Sequence, residues 1–442
     1  MKESKLSSNG GDAAQLMDRS ITAGLDGAAR RSGRRLRLLI AEEALLSASR
    51  GHWYEYIRSL AAGCEAGGVE TCILGNQRAE RDIIDSLKMK PVLRYSAWHQ
   101  TRSESNAAQR YLNVLRHNLR LARDLRIFLE HSEPFDVVFA PTVQSPQVLA
   151  WRMTARRFGG RKFKRLVVDF VNTPGTYRPD GGYDFPRSTW FMRTVLTGMT
   201  GLCRRGIFAP VTESRRAVGQ FKAFCGLDFG IIPQVVAVPG EFSPGQSTEG
   251  VKLGSFGFAR HEKGSDLLQD ALLRVFNSGE SAPTKFVLQW GKGFKDAEGK
   301  FIEKSEPLLR HSQVEYIDRP LGTVEYFDRL SGLDGVVLPY RARSYGDRPS
   351  RVAVEAACLG LPFVYTRNTW LEDLARRFGA GIAFEDGNVN DLARAIGELV
   401  SRMAELKQSA AARVEVARRY HSPTRFRGCL FAETDPLAGM AF

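Results

Sequence analysis

The sequence lacks the features that mark membrane-spanning, secreted and metal-binding chains. No window approaches the about 18 consecutive apolar residues that a membrane-spanning helix needs, and residues 1–35 lack the apolar core of a signal peptide. The six cysteines form no Cys-x-x-Cys pair, and no Asp-x-Asp motif or His/Cys cluster offers a metal site. We therefore expect a cytoplasmic protein with reduced thiols and no bound metal.

What the chain does have is enough length and apolar content for two domains. It holds 442 residues, of which 43% are hydrophobic and 25% are charged, whereas one domain usually spans about 100–200 residues. This composition is typical of globular proteins and excludes a disordered chain. Residues 1–34 are rich in Ser, Gly and charge, so we expect a flexible basic lead-in before the fold.

The net charge of +14 comes from one half of the chain. Residues 1–240 hold 36 Lys and Arg against 22 Asp and Glu, while the remainder is balanced. Seven Lys and Arg lie in residues 152–165, together with two phenylalanines. Upstream of them, a predicted helix interleaves leucines with five arginines, which are Arg110, Arg116, Arg120, Arg123 and Arg126.

A basic amphipathic surface with aromatic residues suits the interface of an anionic membrane. The alternatives are an ordinary solvated face and a nucleic-acid site. No recognised nucleic-acid module accompanies the basic segments, so no nucleic acid is expected as a partner. We therefore predict a cytoplasmic protein that could sit peripherally on the inner face of the membrane.

Strands and helices alternate on both sides of a turn-rich segment. The strands before it are predicted at residues 36–41, 69–74, 135–140 and 166–171. Those after it are predicted at residues 253–258, 285–290, 314–317, 335–339 and 362–366. Continuous apolar strands separated by helices predict parallel sheets that are covered on both faces.

This pattern predicts an α/β chain of two doubly wound domains. The first domain is expected at residues 35–238, the linker at residues 239–250 and the second domain at residues 251–420. Residues 421–442 would form a C-terminal tail that could return to the N-terminal domain.

A glycine-punctuated loop follows the first predicted strand of the second domain. It reads Gly-Phe-Ala-Arg-His-Glu-Lys-Gly at residues 257–264, and a helix is predicted from residue 265. A helix N-terminus and two cations, Arg260 and Lys263, favour the negative charge of a diphosphate. The alternative is a surface loop with solvated basic side chains. The sequence contains no Gly-Lys-Ser/Thr, so this loop is not a P-loop.

Two acidic residues, with seven residues between them, lie near the start of another predicted helix. Asp347 precedes the helix, and Glu355 lies inside it among apolar residues. A carboxylate in such surroundings needs a hydrogen-bonding partner, and the vicinal hydroxyls of a ribose offer two donors. The alternative is a carboxylate that pairs with Arg343 or Arg351 inside the protein.

These motifs together resemble the donor half of the retaining GT-B glycosyltransferases of the group 1, or family 4, type. The shared order is a strand, Gly-x-x-Arg-x-x-Lys-Gly and a helix. About ninety residues later come an acidic residue, seven intervening residues and Glu-Ala-x-x-x-Gly-x-Pro. The resemblance covers roughly residues 205–420 and extends to the N-terminal domain only in outline. It implies a GT-B fold, in which two Rossmann-like domains face a cleft.

For the diphosphate, the resemblance implies individual roles. Lys263 and Arg260 would hold the diphosphate and neutralise the leaving group, beside Gly257. Ser350 matches the small residue at the helix start whose N–H reaches the diphosphate, and Arg351 next to it is assigned to the same donor site.

For the sugar and the ribose, the resemblance implies further roles, with some departures. Asp347 would face the hydroxyls of the transferred sugar, although the family usually has Glu at this position. Glu355 would bind the ribose, and Gly51 would match the glycine of the N-domain loop beside the donor. Many members carry a catalytic His after the strand matched by residues 166–171, where this chain has none, so His52 is the candidate replacement.

The implied activity is transfer of a hexose-like sugar from a nucleotide-diphosphate sugar to a hydroxyl of a glycan or lipid-linked acceptor. The reaction would be metal-independent, need no cofactor and retain configuration, in cell-envelope or exopolysaccharide synthesis. Two alternatives remain open: a non-catalytic or regulatory sugar-nucleotide-binding protein, and a basic nucleic-acid-binding protein.

Overall fold

Two parallel β-sheets, each covered by helices on both faces, organise the chain. The structure is a computed structural model, and it describes residues 34–47, 53–97, 107–178, 182–236, 238, 250–278 and 282–431. Within these residues, every strand of the two sheets runs parallel to its neighbours. The predicted fold class, an α/β chain with two doubly wound sheets, is therefore confirmed.

The first part of the chain builds the first sheet and a small hairpin. Its strands are β1 (Arg37–Ala41), β2 (Glu70–Asn76), β3 (Lys90–Leu93), β4 (Phe135–Ala140), β5 (Phe163–Asp169), β6 (Thr176–Tyr177), β7 (Tyr183–Asp184), β8 (Phe208–Thr212) and β9 (Gly230–Ile231). The sheet order is β3-β2-β1-β4-β5-β8-β9, and β6 pairs with β7 in a separate antiparallel hairpin. The helices are α1 (Trp53–Ala66), α2 (Arg81–Ser86), α3 (Ala107–Glu130), α4 (Val148–Phe158), α5 (Trp190–Thr197), α6 (Thr200–Arg204) and α7 (Arg215–Cys225).

Alternate side chains of each strand enter different cores, which explains the continuous apolar runs in the sequence. In β1, Leu38 and Ile40 pack in a core with residues of α1, whereas Leu39 packs in a core with residues of α3 and α4. All three side chains are buried. A strand that is buried on both faces has no room for the polar alternation of a half-exposed strand.

The second part of the chain repeats this arrangement. Its strands are β10 (Lys252–Ser255), β11 (Lys285–Gln289), β12 (Phe294–Lys295), β13 (Phe301–Ile302), β14 (Val314–Ile317), β15 (Gly335–Leu338), β16 (Phe363–Thr366) and β17 (Gly381–Phe384). The sheet order is β14-β11-β10-β15-β16-β17, and β12 pairs with β13 in a second hairpin.

The helices of the second part follow the strands in the same way. They are α8 (Ser265–Ser278), α9 (Glu306–Leu309), α10 (Thr323–Ser331), α11 (Ala342–Tyr345), α12 (Arg351–Leu359), α13 (Trp370–Phe378), α14 (Val389–Ser401), α15 (Met403–Ala411), α16 (Val414–Tyr420) and α17 (Pro423–Phe431). None of the helices that the structure describes is long and apolar enough to cross a membrane.

The last helix, α17, packs on the first sheet. The Phe426 ring lies 6.1 Å from the Tyr56 ring of α1 and 5.4 Å from the Phe139 ring of β4, measured between centroids. Just before α17, the carbonyl of His421 accepts a hydrogen bond of 3.0 Å from the Val236 N–H. The chain therefore passes from the first half to the second after Val236 and returns to the first half after His421. We call these two connections the crossings, and they are in contact at Val236 and His421. The linker predicted at residues 239–250 lies, apart from residue 250, outside the described residues, and the domain boundaries stay a prediction.

Candidate functional site

The predicted diphosphate loop is held against the end of a neighbouring strand. The loop follows β10, and β10 pairs with β15 in the sheet. Gly264, with φ of +63°, lies so close to β15 that an added Cβ would stand 2.0 Å from the Pro339 oxygen. Arg341, two residues after Pro339, also fixes the loop, because its N–H donates to the Glu262 carbonyl and its Nε to the His261 carbonyl. Adjacent strand ends thus bring both sequence motifs to one place.

Lys263 lies half-buried in this loop without an anionic partner. Its Nζ occupies the space over Gly257, whose φ is +84°. None of the described residues forms an ion pair or hydrogen bond with its ammonium group. Burial, reinforced by the positive charges of Arg260 and Arg348, lowers the pKa of Lys263 to about 7. An anion that binds beside this half-buried ammonium group would stabilise its charged form.

Two arginines extend the positive charge around Lys263. Arg260 is exposed and lies 3.6 Å from the Glu262 carboxylate, a loose ion pair. The Arg348 guanidinium lies over the Tyr345 ring, 5.3 Å from its centroid, and forms no ion pair with the described residues. The site is therefore electropositive, as a diphosphate requires.

Helix α12 begins directly after the acidic motif and carries a side-chain cap. The buried Ser350 is its N-cap residue, and its Oγ accepts a 3.3 Å hydrogen bond from the Ala353 N–H. This cap fixes the start of the helix, where backbone N–H groups favour negative charge. The prediction that Ser350 contacts a diphosphate stays a prediction.

Glu355 has two hydrogen-bonding partners within the protein. One of them is Arg351, which the sequence allowed as an alternative to a ribose. Its Oε1 accepts a 2.8 Å hydrogen bond from the Arg351 Nε, and its Oε2 accepts one of 2.5 Å from the Tyr326 hydroxyl. The side chain is only 3% exposed. Arg351 therefore neutralises Glu355 in this structure, and the ribose role of both residues stays a prediction.

Asp347 connects the two halves of the chain. Its Oδ1 accepts a short hydrogen bond from the Tyr177 hydroxyl, and its Oδ2 accepts one of 2.9 Å from the Gln220 Nε2. Gln220 is held in turn, because its Oε1 accepts a 2.7 Å bond from the Gly175 N–H. Burial raises the pKa of Asp347 to about 6, against the opposing effect of the Tyr177 hydrogen bond.

A cavity of 150 Å³ lies between the two halves of the chain, beside Asp347. The first half lines it with residues that follow β5, including Asn172 and Thr173, and the second half with Arg343 and Arg348. Its lining is mainly polar. The cavity is small, but it brings cations and uncharged polar groups to the carboxylate predicted to face a sugar.

Sequence reasoning missed Tyr177 and Gln220. Tyr177 lies in a short hairpin, β6–β7, for which no hydrophobic pattern exists. Gln220 is fully buried in α7, and a glutamine at a core position of an amphipathic helix is a signal that could have identified it. The predicted Gly51 and His52 lie outside the described residues.

A group of buried carboxylates at the carboxyl ends of the first sheet was also missed. Burial raises the pKa of Glu42 to about 8 and that of Glu213 to about 7. Asp169 is 1% exposed, and burial together with the charges of Glu213 and Glu42 raises its pKa well above the usual value. Among the described residues, no three His, Cys, Asp or Glu side chains are grouped to hold a metal ion.

The architecture is similar to that of several solved glycosyltransferase structures. Sucrose-phosphate synthase from Thermosynechococcus elongatus matches with a TM-score of 0.61 at 12% identity, over 89% of this chain and 96% of that one. Anabaena HepE in complex with UDP-glucose matches with a TM-score of 0.55 at 12% identity, over 90% and 98%. A mutant of S. aureus TarM, in complex with fondaparinux, alpha-GlcNAc-glycerol and UDP, matches with a TM-score of 0.63 at 10% identity, over 89% and 98%.

These similarities establish the fold. The predicted GT-B architecture, with two Rossmann-like domains, is confirmed. No protein-family model matches the sequence, and no curated protein matches it either.

Proposed function

We propose that the protein is a glycosyltransferase that moves a sugar from a nucleotide-diphosphate sugar to an acceptor hydroxyl. The observation that carries this proposal is the unpaired, half-buried Lys263, which feels the positive charges of Arg260 and Arg348 in the loop that follows the carboxyl end of β10. In open α/β sheets, ligands bind at this end of the strands. Solved structures of the same fold hold UDP-glucose or UDP.

The cations would act on the leaving group. When the bond between the sugar and the diphosphate breaks, negative charge grows on the phosphate, and fixed positive charge beside it lowers the barrier. Lys263 and Arg260 supply this charge in the proposal, and Gly257 gives the lysine room to approach. In this proposal the transfer needs no metal ion. The resemblance to the retaining GT-B glycosyltransferases supports transfer with retention of configuration at the anomeric carbon.

The carboxylates would orient the donor. Asp347 would accept hydrogen bonds from hydroxyls of the transferred sugar, which requires its ionised form. Glu355, aligned by Arg351 and Tyr326, would bind the ribose through the lone pairs that these two donors leave open. Asp347 is buried in the segment before α12 and Glu355 is buried within α12, and hydrogen bonds hold both carboxylates in the orientation that would fix a substrate.

The experiment measures release of a nucleoside diphosphate from a panel of nucleotide sugars. We expect Lys263→Ala to reduce kcat/KM at least 100-fold, because a charge-stabilising group of this kind contributes about 3 kcal/mol. Glu355→Ala should raise KM more than it lowers kcat. Lys222→Ala, which removes an exposed lysine that pairs with Asp228, is the matched control.

The outcomes separate the proposal from its alternatives. Turnover that is unaffected by both variants contradicts the site. Binding of a nucleotide sugar without turnover, by a folded wild-type protein with every acceptor class tested, supports a regulatory binder instead.

We also propose that the acceptor is a glycan or is lipid-linked, and that the protein meets it at the inner face of a membrane in cell-envelope or exopolysaccharide synthesis. An exposed apolar strip on α3 supports this proposal. Its members are Tyr111, Leu112, Leu115 and Leu119, joined by Trp190 of α5, which is 56% exposed. The Trp190 Nε1 donates a 3.3 Å hydrogen bond to the Tyr111 hydroxyl.

Exposed arginines flank this strip on the same helix. Arg116 and Arg123 are exposed, and Arg120 lies over the Tyr95 ring at 4.3 Å. Apolar side chains between cations match the boundary between acyl chains and anionic headgroups. We expect flotation with anionic vesicles but not with neutral ones, and weaker flotation of an Arg116→Gln/Arg123→Gln variant. Equal recovery with both vesicle types would contradict membrane binding, while leaving the donor site untouched.

A further inference from the structure

The cavity beside Asp347 is lined by more positively charged than negatively charged side chains. Arg343 and Arg348 both line it, and neither forms an ion pair or a hydrogen bond with the described residues. Asp347 is the only acidic side chain among its lining residues in the described part of the chain. Both oxygens of Asp347 already accept hydrogen bonds, from Tyr177 and Gln220.

Other arginines near the site have acidic partners. Arg341 pairs with Asp266 at 2.5 Å, and Arg351 pairs with Glu355 at 2.8 Å. On the facing half of the chain, Arg216 pairs with Asp373 at 3.2 Å. Because a guanidinium recognises carboxylates and phosphates through paired N–H donors, two unpaired arginines on one cavity wall point to an anion brought by a ligand.

The diphosphate accounts for only part of this charge. Each of its two phosphates carries one negative charge, and Lys263 and Arg260, the cations assigned to the leaving group, balance these two charges. Arg343 lies four residues before Asp347, in α11, and the positive charges that lower the pKa of Lys263 are those of Arg260 and Arg348, not that of Arg343. Arg343 is therefore available to a different group of the substrate, and Arg348 lines the same cavity.

We propose that the transferred sugar carries a carboxylate, as a uronic acid does, and that Arg343 and Arg348 bind this carboxylate in the cavity between the two halves of the chain. Asp347 then meets the neutral hydroxyls of the same sugar. On the opposite wall, Asn172 and Thr173 offer uncharged hydrogen-bonding groups. This inference rests on the proposed function, since it identifies the class of sugar that the same site would take.

The experiment compares donors that differ only at the carboxylate. Calorimetry with the full chain measures binding of UDP, UDP-glucose and UDP-glucuronate, and of GDP, GDP-mannose and GDP-mannuronate. We expect the uronate to bind at least tenfold more tightly than its neutral counterpart in the series whose nucleotide binds. Arg343→Gln should remove this advantage and leave the affinity for the bare nucleoside diphosphate unchanged. Arg310→Gln, which alters an arginine that is 83% exposed, is the control.

Each failure has a distinct meaning. If neither UDP nor GDP nor any of their sugars binds, the proposed function fails and this inference fails with it. If a diphosphate binds but the uronate has no advantage, only this inference is overturned. Equal loss of affinity for all ligands in Arg343→Gln would make Arg343 a diphosphate ligand. If glucose 6-phosphate, added with the diphosphate, binds in an Arg343-dependent way while the uronate has no advantage, the anion belongs to the acceptor and the proposal is wrong.

Discussion

A Cβ built on Gly257 would lie 2.2 Å from the Nζ of Lys263. The glycine therefore provides the space in which the ammonium group sits, and its φ of +84° is a conformation that residues with a side chain rarely adopt. Two separate physical requirements, one of space and one of backbone conformation, act at this single position. Both can be tested, because the chain contains a glycine that shares only one of them.

Gly257→Ala should weaken nucleotide binding at least tenfold and lower the free energy of unfolding by about 1–3 kcal/mol, the cost of a left-handed non-glycine residue. Gly299→Ala is the matched control, since Gly299 has φ of +85° and no atom within 4 Å of an added Cβ. It should show similar backbone strain and normal binding. Calorimetric titration and denaturant unfolding measure the two effects, and identical binding by both variants would contradict the role of the space over Gly257.

Binding of a nucleotide sugar should take up a proton above pH 7. Burial and neighbouring cations lower the pKa of Lys263 to about 7, so the free protein holds it mostly neutral at pH 8, and a bound diphosphate would restore its charge. Calorimetry at pH 8 in two buffers of different ionisation enthalpy measures this uptake. At pH 6 the lysine is already charged and the uptake should vanish. Lys263→Arg should bind without proton uptake at either pH, because arginine stays charged. Equal heats in both buffers at pH 8 would rule the linkage out.

Tyr177→Phe should move the acidic limb of the kcat/KM profile to higher pH. Burial raises the pKa of Asp347 to about 6, and the Tyr177 hydroxyl opposes this rise by donating to the ionised carboxylate. Without that donor the protonated form persists to higher pH, so activity that needs the anion is lost earlier as pH falls. Tyr183→Phe removes a hydroxyl from the partner strand of the same hairpin and should leave the limb in place. A profile of Tyr177→Phe that overlays the wild-type profile would show that Asp347 does not set this limb.

The wild-type protein should lose stability between pH 6.5 and pH 4 through His421. Burial lowers the pKa of His421 to about 4, whereas the unfolded chain titrates near the usual 6.5. The unfolded state therefore binds more protons in this window, and the histidine contributes a loss on the order of 3 kcal/mol as pH falls through it. Unfolding by urea at pH 7.5, 6 and 5 should show a smaller pH dependence for His421→Gln than for the wild type. His131→Gln alters an exposed histidine and should follow the wild type; parallel behaviour of all three proteins would contradict the prediction.

Much of the fold could be predicted because strands that are buried on both faces appear in the sequence as continuous apolar runs. The strands at residues 135–140 and 314–317 have the predicted bounds, and the helix at residue 265 begins where it was expected. The strands β3 and β8 were missed because Pro91 and Pro210 interrupt their apolar runs. The structure tolerates Pro91 in an edge strand, and β9 pairs with β8 only beyond Pro210, at Val211 and Thr212.

The candidate site could be predicted only on one side. The motif residues of the second half are local in sequence, because a strand, a loop and a helix start place them together. The partners of Asp347 are 170 and 127 residues away from it, in Tyr177 and Gln220. Such contacts depend on how the two sheets face each other, and hydrophobic periodicity within a single element carries no information about that orientation.

The contact between the two crossings restricts how the halves can move. Val236 donates to the carbonyl of His421, and the ring of His421 lies 2.9 Å from the Gln234 carbonyl through its Nδ1. Because the two connections meet at this contact, we expect the halves to pivot at Val236 and His421. Opening for a substrate would then be a single angular motion, and Tyr177, far along the chain from this pivot, would return to the same carboxylate at each closing.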